Sequence, residues 1–156
     1  METVYINTPL GIAAITGDVN GISQIAVSDE GVVTAQIPIV LQEAVQQFQD
    51  YFDSKRTDFT FKLNPKGTYF QQKVWKALLD IPFGKTRTYL EQSKFLGDPK
   101  AIRAVASANG KNPLWIVVPC HRVIGTDGSL TGYAGGLWRK KWLLEHENPS
   151  PQHSLF

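Results

Sequence analysis

Only one cysteine occurs in the 156 residues, Cys120, inside "VVPCHRVIG". A lone cysteine is most often a small buried hydrophobe with no chemical duty, but the neighbours of this one give reason to look further. Pro119 precedes it and ends "LWIVV", read as a buried strand, which places the thiol at a strand end. His121 and Arg122 follow directly, an electropositive setting that lowers a thiol pKa and raises the thiolate fraction. A thiolate is a nucleophile, served by a base and by a third group that orients the base. His121 is the candidate base. Neighbouring side chains of an extended chain point to opposite faces, so Cys120 and His121 need not touch, and a bridging water can carry the proton. The orienting group comes from "WLLEHE", where Glu147 follows the apolar stripe of Leu143 and Leu144 inward. Glu145 falls on the other side, and His146 reads as a surface or helix-end residue. Cys120, His121 and Glu147 are thus a candidate thiol active site.

The elements around this set are mostly helical. "YFQQKVWKALLDI" puts Phe70, Val74, Ala77, Leu78 and Ile81 on one face, and Pro82 stops it. "TYLEQSKFLG" starts with Thr88 and Glu91 as a capping box and ends at Gly97. "DPKAIRAVASANG" follows, with Asp98 as N-cap, Pro99 at the first helical position and Gly110 as the stop. Two short helices around a Gly-Asp turn fit a helix-turn-helix, although shape alone favours a plain αα-corner. Composition favours the first reading. Ala101, Ala104, Ala106, Ser107 and Ala108, with Lys100 and Arg103 among them, let the second helix approach a surface closely, and Arg103 then projects beyond the rest. "GTDGS" reads as a hairpin turn and "GLWRKKWLLEHE" as a terminal helix.

The N-terminal third reads differently. "TVYINT", "GIAAITG" and "ISQIAVS" are short strands separated by turn signals, "IVLQEAVQQFQDYF" is a helix with Leu41, Val45, Phe48 and Phe52 inward, and "DFTFKL" is a last alternating strand. No catalytic grouping occurs there. The expected fold class is α/β (α+β). It comprises a small sheet-plus-helix scaffold over 1–63, a linker over 64–68, a mainly helical domain over 69–149 with a winged helix-turn-helix-like motif, and a flexible tail over 150–156.

Composition sets outer limits. With 42% hydrophobic and 19% charged residues the chain is a folded globular protein. No apolar stretch approaches the ~20 residues that span a bilayer. "METVYINTPLG" lacks the basic head and apolar run of a signal peptide, so a reducing cytoplasm is the expected setting. One cysteine and three scattered histidines offer no paired-ligand spacing for a metal. Residues 1–63 hold 8 acidic and 3 basic side chains, a net of −5, and residues 64–156 hold 6 and 13, a net of +7. That asymmetry points to a polyanion partner for the second half, or to a solvated lysine-rich surface.

"IVVPCHRVIG", "TGYAGGLWRKKWLLEHE", "FQQKVWKALLDIPFGKTRTY" and "DPKAIRAVASANGKNP" together resemble the O6-alkylguanine-DNA alkyltransferase family over most of residues 67–156. The N-terminal third is similar only in kind, as the family's variable sheet domain. Some members carry zinc there, but this chain has no cysteine in that region, so no zinc is expected. The resemblance implies double-stranded DNA containing alkylated bases as partner, met by a monomer in the minor groove, and no dissociable cofactor. The damaged nucleotide is turned out of the stack. Arg103 then fills the gap, and Tyr89 crowds the phosphate and later donates a proton to the departing guanine. Lys100, Ala101, Ala104 and Arg122 join them at the DNA surface. The alternative for Tyr89 is a hydrophobic staple.

The resemblance also implies that Cys120 attacks the alkyl carbon, with His121 and Glu147 accepting its proton. Asn112 would hold the active-site loop, unless it is a simple turn residue before Pro113. Tyr133, Ala134 and Val123 would line the base pocket. Trp115 departs from the smaller residue or proline expected near that pocket. It would stack on the base, narrow the range of adducts, or point into the core. The thioether product has no nearby group to hydrolyse it, so the protein would act once. Three competitors remain: a damage-sensing binder, a winged-helix regulator with a redox cysteine, and a Cys-His-Glu hydrolase. An intact Cys120 argues against the first.

Overall fold

The computed structural model describes residues 1–149, so the tail expected over 150–156 lies outside the described residues. The chain divides into two compact units, Met1–Lys66 with Pro113–Val117, and Gly67–Asn112 with the chain from Val118 onward.

The first unit is built on an antiparallel sheet of β1 (Glu2–Thr8), β2 (Gly11–Asp18) and β3 (Gly21–Ser28), in that order. Its register sets Val4 against Ile15, Ile6 against Ala13, and Ile15 against Ile25. Alternation then puts all of these on one buried face. Helix α1 (Ile39–Phe52) covers that face with Leu41, Ala44, Val45, Phe48 and Tyr51. Tyr51, which the simple spacing passes over, is the fully buried ring, while Phe52 meets Phe48 and Tyr51 edge-on at 5.3 Å.

Two expected strands do not form. "DFTFKL" makes only one bridge, Leu63 to Ile22. Gln47 of α1 takes the place of a neighbouring strand: Thr60 N–H donates to its Oε1 at 2.9 Å, and its Nε2 donates to Thr60 Oγ1 at 2.7 Å. "LWIVV" likewise makes a single bridge, Leu114 to Ile25, with Ile25 N–H donating to Pro113 O and Trp115 N–H to Ile25 O. It then turns sharply, Val117 N–H donating to Trp115 O across Ile116 at φ 74°. A β-branched residue is strained at that angle, so this segment is bent by its surroundings against its own strand preference.

In the second unit, α2 (Tyr69–Leu78) starts at a capping box of Thr68 and Gln71. Its inner face differs from the one expected. Phe70 is 38% exposed, Ile81 is buried beyond the helix end, and Trp75 turns inward to donate its indole N–H to Ala108 O at 2.8 Å. A Cβ on Gly67 would come within 2.4 Å of the Trp75 ring, so the chain can pass there only as glycine. Next come β4 (Arg87–Thr88) and α3 (Tyr89–Phe95), with the Thr88–Glu91 capping box formed. Gly97 turns the chain at φ 88°, and Asp98 caps the 3-10 turn Pro99–Ala101 that leads into α4 (Ile102–Gly110). Helices α2, α3 and α4 pack on one another.

A two-residue strand, β5 (Val123–Ile124), pairs in parallel with β4, Arg87 against Val123 and Thr88 against Ile124. This ladder fixes the start of α3 beside the end of the Cys120 turn. "GTDGS" closes as a loop, Gly128 N–H to Gly125 O and Gly125 N–H to Ser129 O, with no hairpin strand after it. Helix α5 (Leu137–Glu147) ends the described fold. Sheet plus helix, then helices around a helix-turn-helix, is the α/β class expected. Among the described residues no helix is long and apolar enough to cross a membrane.

Candidate active site

Cys120 stands at no strand end. Pro119 (φ −82°, ψ 63°) makes a second tight turn, with Cys120 N–H donating to Val118 O at 2.8 Å, and the chain enters a 3-10 turn over Cys120–Arg122. Three residues per turn send the three side chains in different directions, which alternation along a strand would not. Asn112, just past α4, donates from Nδ2 to Val118 O at 2.8 Å and so holds the entry to this turn.

His121 and Arg122 both end on Glu147. His121 Nε2 lies 2.8 Å from Glu147 Oε2, Arg122 Nε donates to Oε1 at 2.7 Å and Arg122 Nη2 to Oε2 at 2.9 Å. Arg122 Nη1 donates to Ile81 O at 2.7 Å. All three residues are buried. The structure therefore places Arg122 indoors, its guanidinium taken up by Glu147 and Ile81, rather than on the DNA surface where the sequence reading put it.

The charges follow from this geometry. Burial works to raise the Glu147 carboxyl, but His121 and Arg122 outweigh it and hold it well below the usual carboxylate range. Burial pushes His121 down against the pull of Glu147, so the imidazole is neutral. Its Nε2–H then faces the carboxylate, and Nδ1, buried with no hydrogen-bond partner among the described residues, carries the free lone pair. The expected electropositive thiol site is corrected here. Arg122 is neutralised by Glu147 and His121 is uncharged, so burial pushes the Cys120 thiol up, opposed by the Asn112 hydrogen bond and the Lys140 charge. Cys120 rests as a thiol and needs a base.

Lys140 was not singled out by sequence. It is fully buried, donating from Nζ to Val123 O (2.6 Å), Thr131 O (3.0 Å) and Gly132 O (3.2 Å). Burial lowers its pKa to about 8. The signal was available: Lys140, Leu143, Leu144 and Glu147 share one helical stripe, the one that turned Glu147 inward. Asn109 was missed as well, hidden among the small residues of α4, with Val105, Ala108 and Asn109 forming its buried stripe.

Tyr89, the first residue of α3, is half-buried beneath Lys140, whose Nζ is 5.9 Å from the ring. Burial raises its phenol pKa, while hydrogen bonding from Asn109 and Thr131 opposes the rise. Lys100, Arg103 and Ala104 are exposed on one side of the helix-turn-helix, and Ala101 is half-buried. Tyr133 is half-buried, Ala134 exposed, and Val123 buried with its carbonyl on Lys140. Trp115 belongs to the first unit, half-buried beside β3, whereas Val123, Tyr133 and Ala134 belong to the second. Among the described residues no group of three or more His, Cys, Asp or Glu could hold a metal ion.

Comparison with known proteins bears directly on this site. A family profile described as "6-O-methylguanine DNA methyltransferase, DNA binding domain" matches residues 69–149. The methylated-DNA–protein-cysteine methyltransferase of Methanosarcina barkeri is 44% identical over 149 residues, covering 91% of this chain and 94% of that protein. The crystal structure of Mycobacterium tuberculosis O6-methylguanine methyltransferase superposes with a TM-score of 0.85 at 42% identity, over 96% of this chain and 94% of that one. The M. tuberculosis OGT solved in complex with DNA gives 0.84 at 42% identity, over 96% and 95%. Spanning half the chain by profile and nearly all of it by relatives, these matches show that the chain belongs to the 6-O-methylguanine DNA methyltransferase family.

Proposed function

We infer that the protein repairs DNA by moving a methyl or larger alkyl group from O6 of guanine onto Sγ of its own Cys120. The observation that carries this is the buried array from the Cys120 turn through His121 to Glu147 and Arg122, next to a ladder that sets Tyr89 beside it. His121 Nδ1 takes the thiol proton, directly or through a water, while Glu147 fixes the tautomer and bears the resulting imidazolium. Sγ attacks the alkyl carbon in line, the carbon–O6 bond breaks, and its electron pair leaves on guanine. Tyr89 supplies the proton that neutralises the departing base. A thiol that rests protonated and is deprotonated only as the substrate arrives is shielded from adventitious alkylation and oxidation. The product is a thioether that nothing in the site hydrolyses, so each molecule acts once.

The DNA partner is engaged by the helix-turn-helix, with Arg103 entering the duplex from the small-residue face of α4 as the damaged nucleotide leaves it. Lys100, Ala101 and Ala104 meet the backbone. A short helix with small side chains suits the minor groove. The same reading has the protein act as a monomer in the reducing cytoplasm, where Cys120 stays free. Asn112 holds the active-site turn, and Tyr133, Ala134 and Val123 border the base. Incubation with excess O6-methylguanine duplex tests the function: methyl removal stops at one equivalent per protein. Continued turnover, or lesion binding with no removal, would overturn it.

A further inference from the structure

Arg139, in the first turn of α5, takes no part in the steps above, yet it holds a segment on which they depend. It is 7% exposed, and its Nη1 donates to Gly135 O at 3.0 Å. Lys140 grips the other end of that segment through Thr131 O and Gly132 O, and Gly136 N–H closes the turn onto Tyr133 O at 2.9 Å. Residues 131–136 are thereby tied at both ends to the first turn of α5. The cation also faces the side chain in the middle of the segment. Burial pushes the Tyr133 phenol well above its ordinary range, and the charge of Arg139 works against that rise. Trp138 supplies an outer cover. It is 53% exposed, so core packing does not account for its place; its ring lies against the guanidinium, whose Cζ is 4.6 Å from the ring centroid.

Between these ties the backbone is soft, with Gly132 at φ 58° and Gly136 at φ 90°. A guanidinium on a carbonyl is a charge-assisted bond, and its planar fork gives that bond a fixed direction. Stacking on Trp138 restricts the fork further. The transfer reading places the flipped base against Tyr133 and Ala134, and a misplacement of about 1 Å at such a wall costs up to about 100-fold in rate. Resting on that reading, we propose that Arg139 is a positioning residue for the transfer: by clamping Gly135 O under the Trp138 ring, it fixes Tyr133 and Ala134 where the base must sit for in-line attack by Cys120 Sγ. Duplex affinity is carried by the helix-turn-helix, so the contribution of Arg139 is to rate.

The test measures single-turnover methyl transfer at saturating O6-methylguanine duplex, alongside the Kd for undamaged duplex, at a temperature where every variant is folded by circular dichroism. Arg139→Met keeps the length of the side chain but not the bond to Gly135. Its transfer rate falls by on the order of 10-fold, while Kd stays within about twofold of wild type. Trp138→Ala is a change at an exposed residue, and it slows transfer by about threefold because the guanidinium loses its cover. In the Arg139→Met background it has no further effect, since the two residues act as one clamp. Transfer at the full rate in Arg139→Met, a rate loss matched by an equal loss of duplex affinity, or a Trp138→Ala effect that persists unchanged in the double variant overturns the assignment. Where Arg139→Met does not fold, unaltered transfer by Trp138→Ala overturns it. Wild-type protein that moves no methyl group overturns the transfer reading instead.

Discussion

Glu147→Gln is the sharpest probe of the buried array. The carboxylate, with 1% of its side chain exposed, receives Arg122 Nε and Nη2 and the His121 Nε2–H. An amide of the same shape keeps one acceptor oxygen and turns an NH2 toward groups that are themselves donors. It also leaves the Arg122 guanidinium buried without its counter-charge. Breaking a buried pair from one side costs about 3–5 kcal/mol. Arg122 retains its bond to Ile81 O, which sets the expectation at about 3 kcal/mol, near the low end of that range. For a chain of this size that lowers Tm by roughly 6–12 °C. Single-turnover transfer falls as well, by on the order of 100-fold, because the base loses the group that orients it. Replacing both partners separates the two effects. Arg122→Met with Glu147→Leu fills the space with apolar atoms and recovers most of the stability, but not the transfer rate. Urea unfolding and quench-flow kinetics on wild type, single and double variants measure both. A single variant within about 1 kcal/mol of wild type, or a double variant less stable than the single, would refute the reasoning.

Other consequences follow from the same geometry. His121 is held neutral, its pKa below the ordinary 6.5, so the unfolded chain binds more protons under that value. The stability it contributes is complete above pH 6.5 and is lost as pH falls below it; Glu147, also depressed, adds a second loss below its ordinary 4.5. Urea midpoints should fall in these two stages as pH drops below neutral, the first absent in His121→Asn. Arg103 is exposed, so Arg103→Ala should leave stability within about 0.5 kcal/mol. It should slow repair of duplex DNA by on the order of 100-fold, about 2.7 kcal/mol, while sparing reaction with a free alkylated base, and comparing the two substrates checks this. Ser54 sits exposed after α1 at φ 60°, where glycine is unstrained, so Ser54→Gly should stabilise by about 1 kcal/mol in thermal melts.

Local signals in the chain were reliable where they were self-contained. The strands of the first sheet, the span of α1 and the Thr88–Glu91 cap each depend on residues close in sequence, and each forms as the pattern implies. "DFTFKL" and "LWIVV" carry strand composition but lose their pairing to distant partners, Gln47 in one case and the bend at Ile116 in the other. The stripe logic that found Glu147 also reaches Lys140, yet a lysine between Arg139 and Lys141 reads as one member of a surface cluster. Arg122 shows the opposite error. Sequence sees a cation beside a thiol, and only the fold reveals that Glu147 has neutralised it. Asn109 stayed hidden because it stands among the small residues of α4, and only the fold shows it buried with its Nδ2 toward Cys120 O.

The most direct test is intact-protein mass after incubation with excess duplex containing one O6-methylguanine, with Cys120→Ala alongside. The expected result is a gain of one methyl group per molecule, carried on the peptide holding Cys120, with no further gain over time and none in the variant. Restored guanine in the DNA without added protein mass, or a methyl group on any other residue, would contradict transfer to Cys120.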